Sequence, residues 1–296
     1  MKGSSLLAAA FANVSIWISL PALADEAATV EALRQAGFKV KQAAGAAEIG
    51  FGQPEWTPAL WQRLGEVPSL TALRGTATCA DNAGVEVLTK LPRLETLYLN
   101  ASTFDDQGFA MLAKIRSLQS LSLDHNAGFT GCGAAALKSL PNLRSLRFGG
   151  CMKFTSDGVR AAAEIAQLES LQLHHCGVGD DDLAPLAGMP KLKSLFVSSQ
   201  FNGRLTDAGL KHLVQIQTLE SLKLAEFVVT SEGGLDVLTK LGRLKTLELL
   251  KVGVLAADIE KLRTAMPQTE IQWTAASDEE VAQFHRRAAS ARKLRR

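Results

Sequence analysis

The sequence is poor in the residue patterns that most chemistry needs. It has four cysteines in 296 residues and no C-x-x-C, so zinc-ribbon and thioredoxin-like sites have no support. The first cysteine is Cys79, which excludes an acylated N-terminal cysteine after export. There is no G-x-S-x-G, no P-loop, no H-E-x-x-H and no G-x-G-x-x-G. Catalysis needs a nucleophile or base with an orienting partner. None is visible, so the chain reads as a non-enzyme with no cofactor. The formal net charge is only +2, which leaves no global pull toward nucleic acid or membrane. Beyond the N-terminus no apolar run approaches the ~20 residues of a bilayer span.

The N-terminal stretch "MKGSSLLAAAFANVSIWISLPALADEA" has one early Lys2, an apolar run and small residues at its exit. That order reads as a secretory signal peptide, residues 1–24, cleaved after Ala24. The expected location is secreted or periplasmic, with no membrane span once the segment is removed.

What the chain has in quantity is one phrase. "LESLQL" (168–173) recurs as "LTALRG" (70–75), "LETLYL" (94–99), "LQSLSL" (118–123), "LRSLRF" (143–148), "LKSLFV" (192–197), "LESLKL" (219–224) and "LKTLEL" (244–249). The starts are 24, 24, 25, 25, 24, 27 and 25 residues apart. A fixed period of that size carrying L-x-x-L-x-L is the leucine-rich repeat signature. Each unit supplies a short strand with apolar residues at alternate positions, and one unit alone cannot bury them. Stacking about eight units gives an α/β solenoid, a horseshoe with a parallel sheet on its concave side. Return segments such as "TSDGV" (155–159), "LTDAGL" (205–210), "FDDQGF" (104–109), "TSEGGL" (230–235) and "TGCGA" (130–134) carry helix-start chemistry. They predict a short helix of two or three turns on each convex side.

The segment "LRSLRFGGCMKFTSDGVRAAAEI" resembles the cysteine-containing subfamily of leucine-rich repeats, known from F-box proteins. The chain as a whole more closely resembles secreted bacterial repeat proteins of the planctomycete type. The signal segment, the opening "VEALRQAGFKV" (30–40) and the closing "LRTAMPQTEIQW" (262–273) carry that likeness. The resemblance implies the fold, and protein binding only loosely.

Residues 25–67 are expected to cap the first repeat, with "VEALRQAGF" as a helix, "AAEIGF" as an irregular strand, and Trp56 and Trp61 covering the core end. The repeats with their C-terminal cap span 68–273, and Trp273 in "EIQW" closes the core. A helical tail, 274–296, starts with a capping box of Ser277 and Glu280. It ends in Arg286, Arg287, Arg292, Lys293, Arg295 and Arg296, with no acid after Glu280. Such a tail suits an anionic envelope surface as well as solvent.

Strand alternation sorts the remaining polar residues. One outward column reads Ala72, Thr96, Ser120, Ser145, Ser170, Ser194, Ser221, Thr246, small hydroxyls that suit cross-strand contact. The next reads Arg74, Tyr98, Ser122, Arg147, Gln172, Phe196, Lys223, Glu248. Large side chains of mixed character on a sheet face suit a protein or peptide ligand, and Tyr and Arg favour hot spots. Arg74, Tyr98, Arg147, Gln172, Phe196 and Lys223 are therefore the candidate contacts. Cys151, Cys176 and Asn126 share the turn position, where small groups bond backbone. The two cysteines lie within disulfide reach, but parallel side chains rarely meet the torsion.

Asp124, His125, His174 and His175 border Gly149 and Gly150, and could converge on one metal ion above the glycines. Asp180, Asp181 and Asp182 stand apart, at a helix start. The leading functional expectation is non-catalytic recognition of a protein, peptide or envelope polymer through the concave face. The alternatives are an intracellular ubiquitin-ligase-like substrate adaptor and a metal site at the histidine notch.

Overall fold

The structure, a computed structural model, describes residues 21–198, 205–229 and 233–293, with side chains from 26 to 286 within those ranges. Most of the expected signal peptide lies outside the described residues. So do Thr230–Glu232, the Arg287, Arg292 and Lys293 side chains, and all of Arg295 and Arg296.

The repeats form the expected solenoid, an open sheet of eleven strands in sequence order. The cap strands β1 (Val40–Ala43) and β2 (Ala46–Ile49) pair antiparallel. From β2 onward every pairing is parallel. The eight repeat strands are β3 (Leu70–Thr76), β4 (Thr96–Asn100), β5 (Ser120–Asp124), β6 (Ser145–Gly149), β7 (Ser170–His174), β8 (Ser194–Ser198), β9 (Ser221–Ala225) and β10 (Thr246–Val252), and β11 (Glu270–Ala275) closes the sheet. Register is unshifted from β3 to β10, so each sequence column is a row across the sheet. The cause is the alternation itself: a one-residue slip would turn the inward leucines to solvent.

Leu97, Leu121, Leu146, Leu171, Leu195, Leu222 and Leu247 form one buried row. Behind it, Phe104, Phe109, Phe129, Phe148 and Phe154 stack through three repeats, with ring centroids 4.6–6.2 Å apart. Offset and edge contacts of this kind add roughly 0.5–1.5 kcal/mol per pair beyond area burial.

The convex side departs from a uniform set of helices. After the cap helices α1 (Pro21–Gln35) and α2 (Pro58–Arg63) come α3 (Asn82–Leu88), α4 (Gly108–Leu112), α5 (Ser156–Ala163), α6 (Asp207–Leu213) and α7 (Ala256–Ala265). Three return segments, Cys132–Ser139, Asp180–Gly188 and Leu235–Lys240, are 3₁₀ helix instead. Local chemistry explains the first two. Gly131 enters its segment with a left-handed φ of 93°, and Pro185 sits inside the second, where it removes a backbone donor.

Aromatic residues pack against both ends of the core. Trp61 and Trp56 are buried, and the Trp61 indole donates to the Gly84 carbonyl at 2.8 Å. Trp273 is partly buried against the last repeat. The capping box forms: the Ser277 amide donates to Glu280 at 2.9 Å, and the Glu280 amide to the Ser277 hydroxyl at 3.2 Å. It opens helix α8 (Asp278–Lys293), which docks through buried Phe284 and a Lys251–Glu280 ion pair of 2.9 Å.

Candidate functional site on the concave strands

The candidate contacts lie in one row, since register pairs Arg74 with Tyr98, Arg147 with Gln172, Gln172 with Phe196 and Phe196 with Lys223. The structure links most of them into a mesh. Asp124, at the end of β5, is the hub. Arg147 holds it with Nε to Oδ1 at 3.0 Å and Nη2 to Oδ2 at 3.1 Å, a two-pronged grip that fixes both planes. The Tyr98 hydroxyl donates to the same carboxylate at 3.1 Å, and Arg147 Nη1 donates to Gln172 Oε1 at 3.0 Å. Burial, with the Asp124 charge beside it, raises the Tyr98 phenol above its ordinary pKa and keeps it a donor.

Further along the row, Lys223 pairs with Glu248 at 2.7 Å and lies 5.3 Å from the centre of the Phe196 ring. The His174 ring stacks on His175 at 3.6 Å and packs 5.1 Å from Phe196. Burial first, then the neighbouring His175 and Arg147, lower the His174 pKa to about 4. It is a neutral, flat group at neutral pH. Arg74 has no ion pair among the described residues.

The histidine notch is arranged differently from a metal site. Asp124 is engaged by Arg147 and Tyr98. His125 Nδ1 is 2.8 Å from Asn100 Oδ1, and His175 Nε2 is 2.8 Å from Glu226 Oε2, on the far side from Asp124. Among the described residues no three His, Cys, Asp or Glu side chains are grouped to hold an ion. The glycines are not an empty floor. A side chain on Gly149 would collide with the Asp124 carboxylate, and one on Gly150 would come within 2.7 Å of the His125 ring. The glycines are there because their neighbours occupy that space.

Cys151, Cys176 and Asn126 are buried at the turn position. Cys151 Sγ approaches the Leu123 carbonyl at 3.4 Å, Cys176 Sγ the Phe148 carbonyl at 3.5 Å, and Asn126 Nδ2 the Phe104 carbonyl at 3.3 Å. All four cysteines are free thiols. The Cys176 thiol lies well above the ordinary range, because its hydrogen bond with Cys151 and its burial both favour the neutral form. Asp180 does not serve its own segment: it accepts from the Thr206 amide at 2.7 Å, the Thr206 hydroxyl at 2.7 Å and the Gly209 amide at 3.0 Å, one repeat further on.

Two features escaped the column reading. The first is a cleft of about 620 Å³ at the cap end of the row, walled by the Phe51–Trp56 loop, Gly75, Thr76, Tyr98 and Asn100. The second is the hub role of Asp124, which sits one column away from the large side chains. An acid beside Arg147 across one strand was the available signal.

No protein-family model matches the chain, and no curated protein matches it. Among solved structures it is similar to internalin C2 of Listeria monocytogenes, at 20% identity and TM-score 0.43, over 66% of this chain and 77% of that one. A second Listeria internalin matches at 15% identity and TM-score 0.45, over 86% and 89%. A leucine-rich repeat protein of Leptospira interrogans matches at 16% and 0.37, over 71% and 68%. The fold assignment stands on the strand register given above. Among the described residues no helix is long and apolar enough to cross a membrane.

Proposed function

We propose that the chain is a non-catalytic scaffold that binds a protein or peptide through its concave strands, and that it does so after export. One observation carries the reading: Tyr98, Asp124, Arg147 and Gln172 are already locked together by hydrogen bonds of 3.0–3.1 Å. A surface ordered before it meets a ligand loses little side-chain entropy on binding. Phe196, with Lys223 above it and His174 beside it, supplies apolar area next to that mesh.

The test is a selection. Peptides from a random display library are chosen on the purified protein, and their footprint is read as backbone amide protection in hydrogen exchange. Protection concentrated in β5 through β9 is the expected result. Protection confined to the convex segments, or no enrichment of any sequence, sinks the reading. Export is tested by the N-terminus of protein recovered from its native host. Asp25 supports it, and cleavage there leaves the buried Glu26 and Thr29 of the cap in place. An intact Met1 in a cytosolic fraction contradicts it and favours the adaptor alternative.

A further inference from the structure

The first repeat is irregular at one position. Inward residues Leu99, Leu123, Phe148, Leu173, Val197 and Leu224 form a continuous row, and Gly75 stands where the first member should be. The missing side chain is replaced from outside by Trp56, which is 3% exposed and packs against Phe38 and Trp61. A methyl group on Gly75 would lie 3.7 Å from the Trp56 indole nitrogen. That N–H has no acceptor among the described residues and is not sealed from solvent, and Trp56 borders the 620 Å³ cleft. The indole proton is thus open to solvent at the cleft wall, where a ligand acceptor can take the place of water.

The rest of the cleft has a definite polarity. The Thr76 hydroxyl accepts from Asn100 Nδ2 at 3.0 Å, which leaves its own proton available to a further acceptor. Asn100 gives one Nδ2 hydrogen to Thr76, and its Oδ1 meets His125. Gln53 is used as well, accepting from the Lys39 amide and donating to the Phe51 carbonyl. The cleft therefore offers the Trp56 indole and Thr76 hydroxyl protons, the second amide hydrogens of Asn100 and Gln53, and one exposed carboxylate, Glu55. Its apolar wall is Phe51, 62% exposed and edge-on to Tyr98 at 4.8 Å.

We infer that this cleft binds an extended, proline-containing peptide segment with a nearby lysine or arginine. The inference rests on the concave-face reading and names the ligand chemistry of its cap end. A polyproline II segment has free carbonyls along its length and makes no internal hydrogen bonds. Its proline rings pack on aromatic walls such as Phe51 and Tyr98. One carbonyl takes the Trp56 indole proton, a second the Thr76 proton, and the ligand's cation meets Glu55.

The test uses the full mature chain and a blocked octapeptide, acetyl-Pro-Pro-Ala-Pro-Pro-Arg-Pro-Pro-amide, with an all-alanine analogue as control. Binding is followed by the indole N–H signals in ¹⁵N-labelled protein, with Trp56→Phe used only for assignment. The proline peptide is expected to shift the Trp56 signal and the analogue to leave it in place. Phe51→Ala, at a position 62% exposed, is expected to weaken binding about tenfold or more, as for loss of an aromatic anchor, with the fold checked by circular dichroism. Gly75→Ala, which narrows access to the indole at ordinary contact distance, is expected to weaken it as well. A Trp56 signal that stays still up to about millimolar peptide, the weak end of measurable affinity, overturns the inference. So does binding that is unchanged in both variants. If library-selected peptides still protect β5 through β9 in that case, the cleft inference alone has failed. If those ligands fail too, the concave-face reading falls with it.

Discussion

At the scale of single residues, Asp124 and its neighbours explain features that sequence columns leave unexplained. Gly149 is small because the Asp124 carboxylate leans over it toward Arg147. Gly149→Ala is therefore expected to destabilise the protein by about 1–3 kcal/mol, the usual cost of overpacking a well-filled site. Urea unfolding of the variant, with an unchanged slope, checks this. His174 gives a pH signature. Its pKa falls from 6.5 to about 4 on folding, so the unfolded chain binds the extra proton between those values. Stability from this group is full above about pH 6.5 and is lost as pH falls toward 4. A sealed site would lose about 3 kcal/mol across that window; His174 is half exposed, so solvent screening reduces the expected loss to about 1 kcal/mol. His174→Asn should flatten the pH dependence of urea midpoints between pH 4 and 6.5. An imidazole that titrates near 6.5 by NMR would contradict the assignment. The sequence set His174 beside Gly149, and the register pairs them. It could not show which way the ring turns, because rotamer and stacking depend on Phe196 and His175 from other turns.

At the scale of elements, successive repeats are latched by carboxylates reaching forward. Asp106 accepts from the Thr130 amide and hydroxyl, both at 2.8 Å, and from the Gly131 and Gly133 amides, both at 2.9 Å. Partial burial pushes its pKa up, but the hydrogen bonds from Gly133 and Thr130 outweigh it and hold the carboxyl below its ordinary range. Asp180 does the same for α6. Asp106→Ala should cost about 1–2 kcal/mol, in the range of a lost helix cap. The wild-type advantage should be present above the ordinary carboxylate range and fade as pH drops below it. A second device runs along the strand entries as alternating charge. Arg144 meets Glu169 at 3.7 Å, Glu169 meets Lys193 at 2.8 Å, and Glu220 meets Lys245 at 2.6 Å. Lys193 holds Glu169 below its ordinary pKa, and Lys245 does so for Glu220. Exposed pairs of this kind contribute little singly, but reversing one sign puts three cations in a row. Glu169→Lys should lower the melting temperature at low salt. The difference should shrink toward zero at about 1 M salt, where the Debye length is only ~3 Å. Repeat length and strand positions were legible in the spacing. The 3₁₀ turn at Cys132–Ser139 was not, because "TGCGA" and "TSDGV" both carry helix-start chemistry and the left-handed backbone at Gly131 separates them, whereas Pro185 in the next such segment was a visible signal.

At the scale of the whole molecule, the repeat spacing carries the architecture and the structure adds how the side chains of the concave row are held together. The leucine period dictates the sheet, and the unshifted register turns each sequence column into a physical row. Five of the six candidate contacts, from Tyr98 to Lys223, join hydrogen-bonded or packed groups, while Arg74 has no ion pair among the described residues. The cap cleft was hidden because it depends on Trp56 filling the place of a residue that Gly75 lacks, a contact across distant segments. The central claim is that this face binds, and the dissociation constant of one library-selected peptide tests it most directly. It should be measured for the wild type, for Arg147→Ala with Phe196→Ala, and for Met152→Ala, whose side chain is 72% exposed outside the strands. The account predicts a loss of about a hundredfold for the double variant, as for truncating two hot-spot residues, and no change for Met152→Ala. Equal affinity for all three proteins, each shown to be folded, would contradict it.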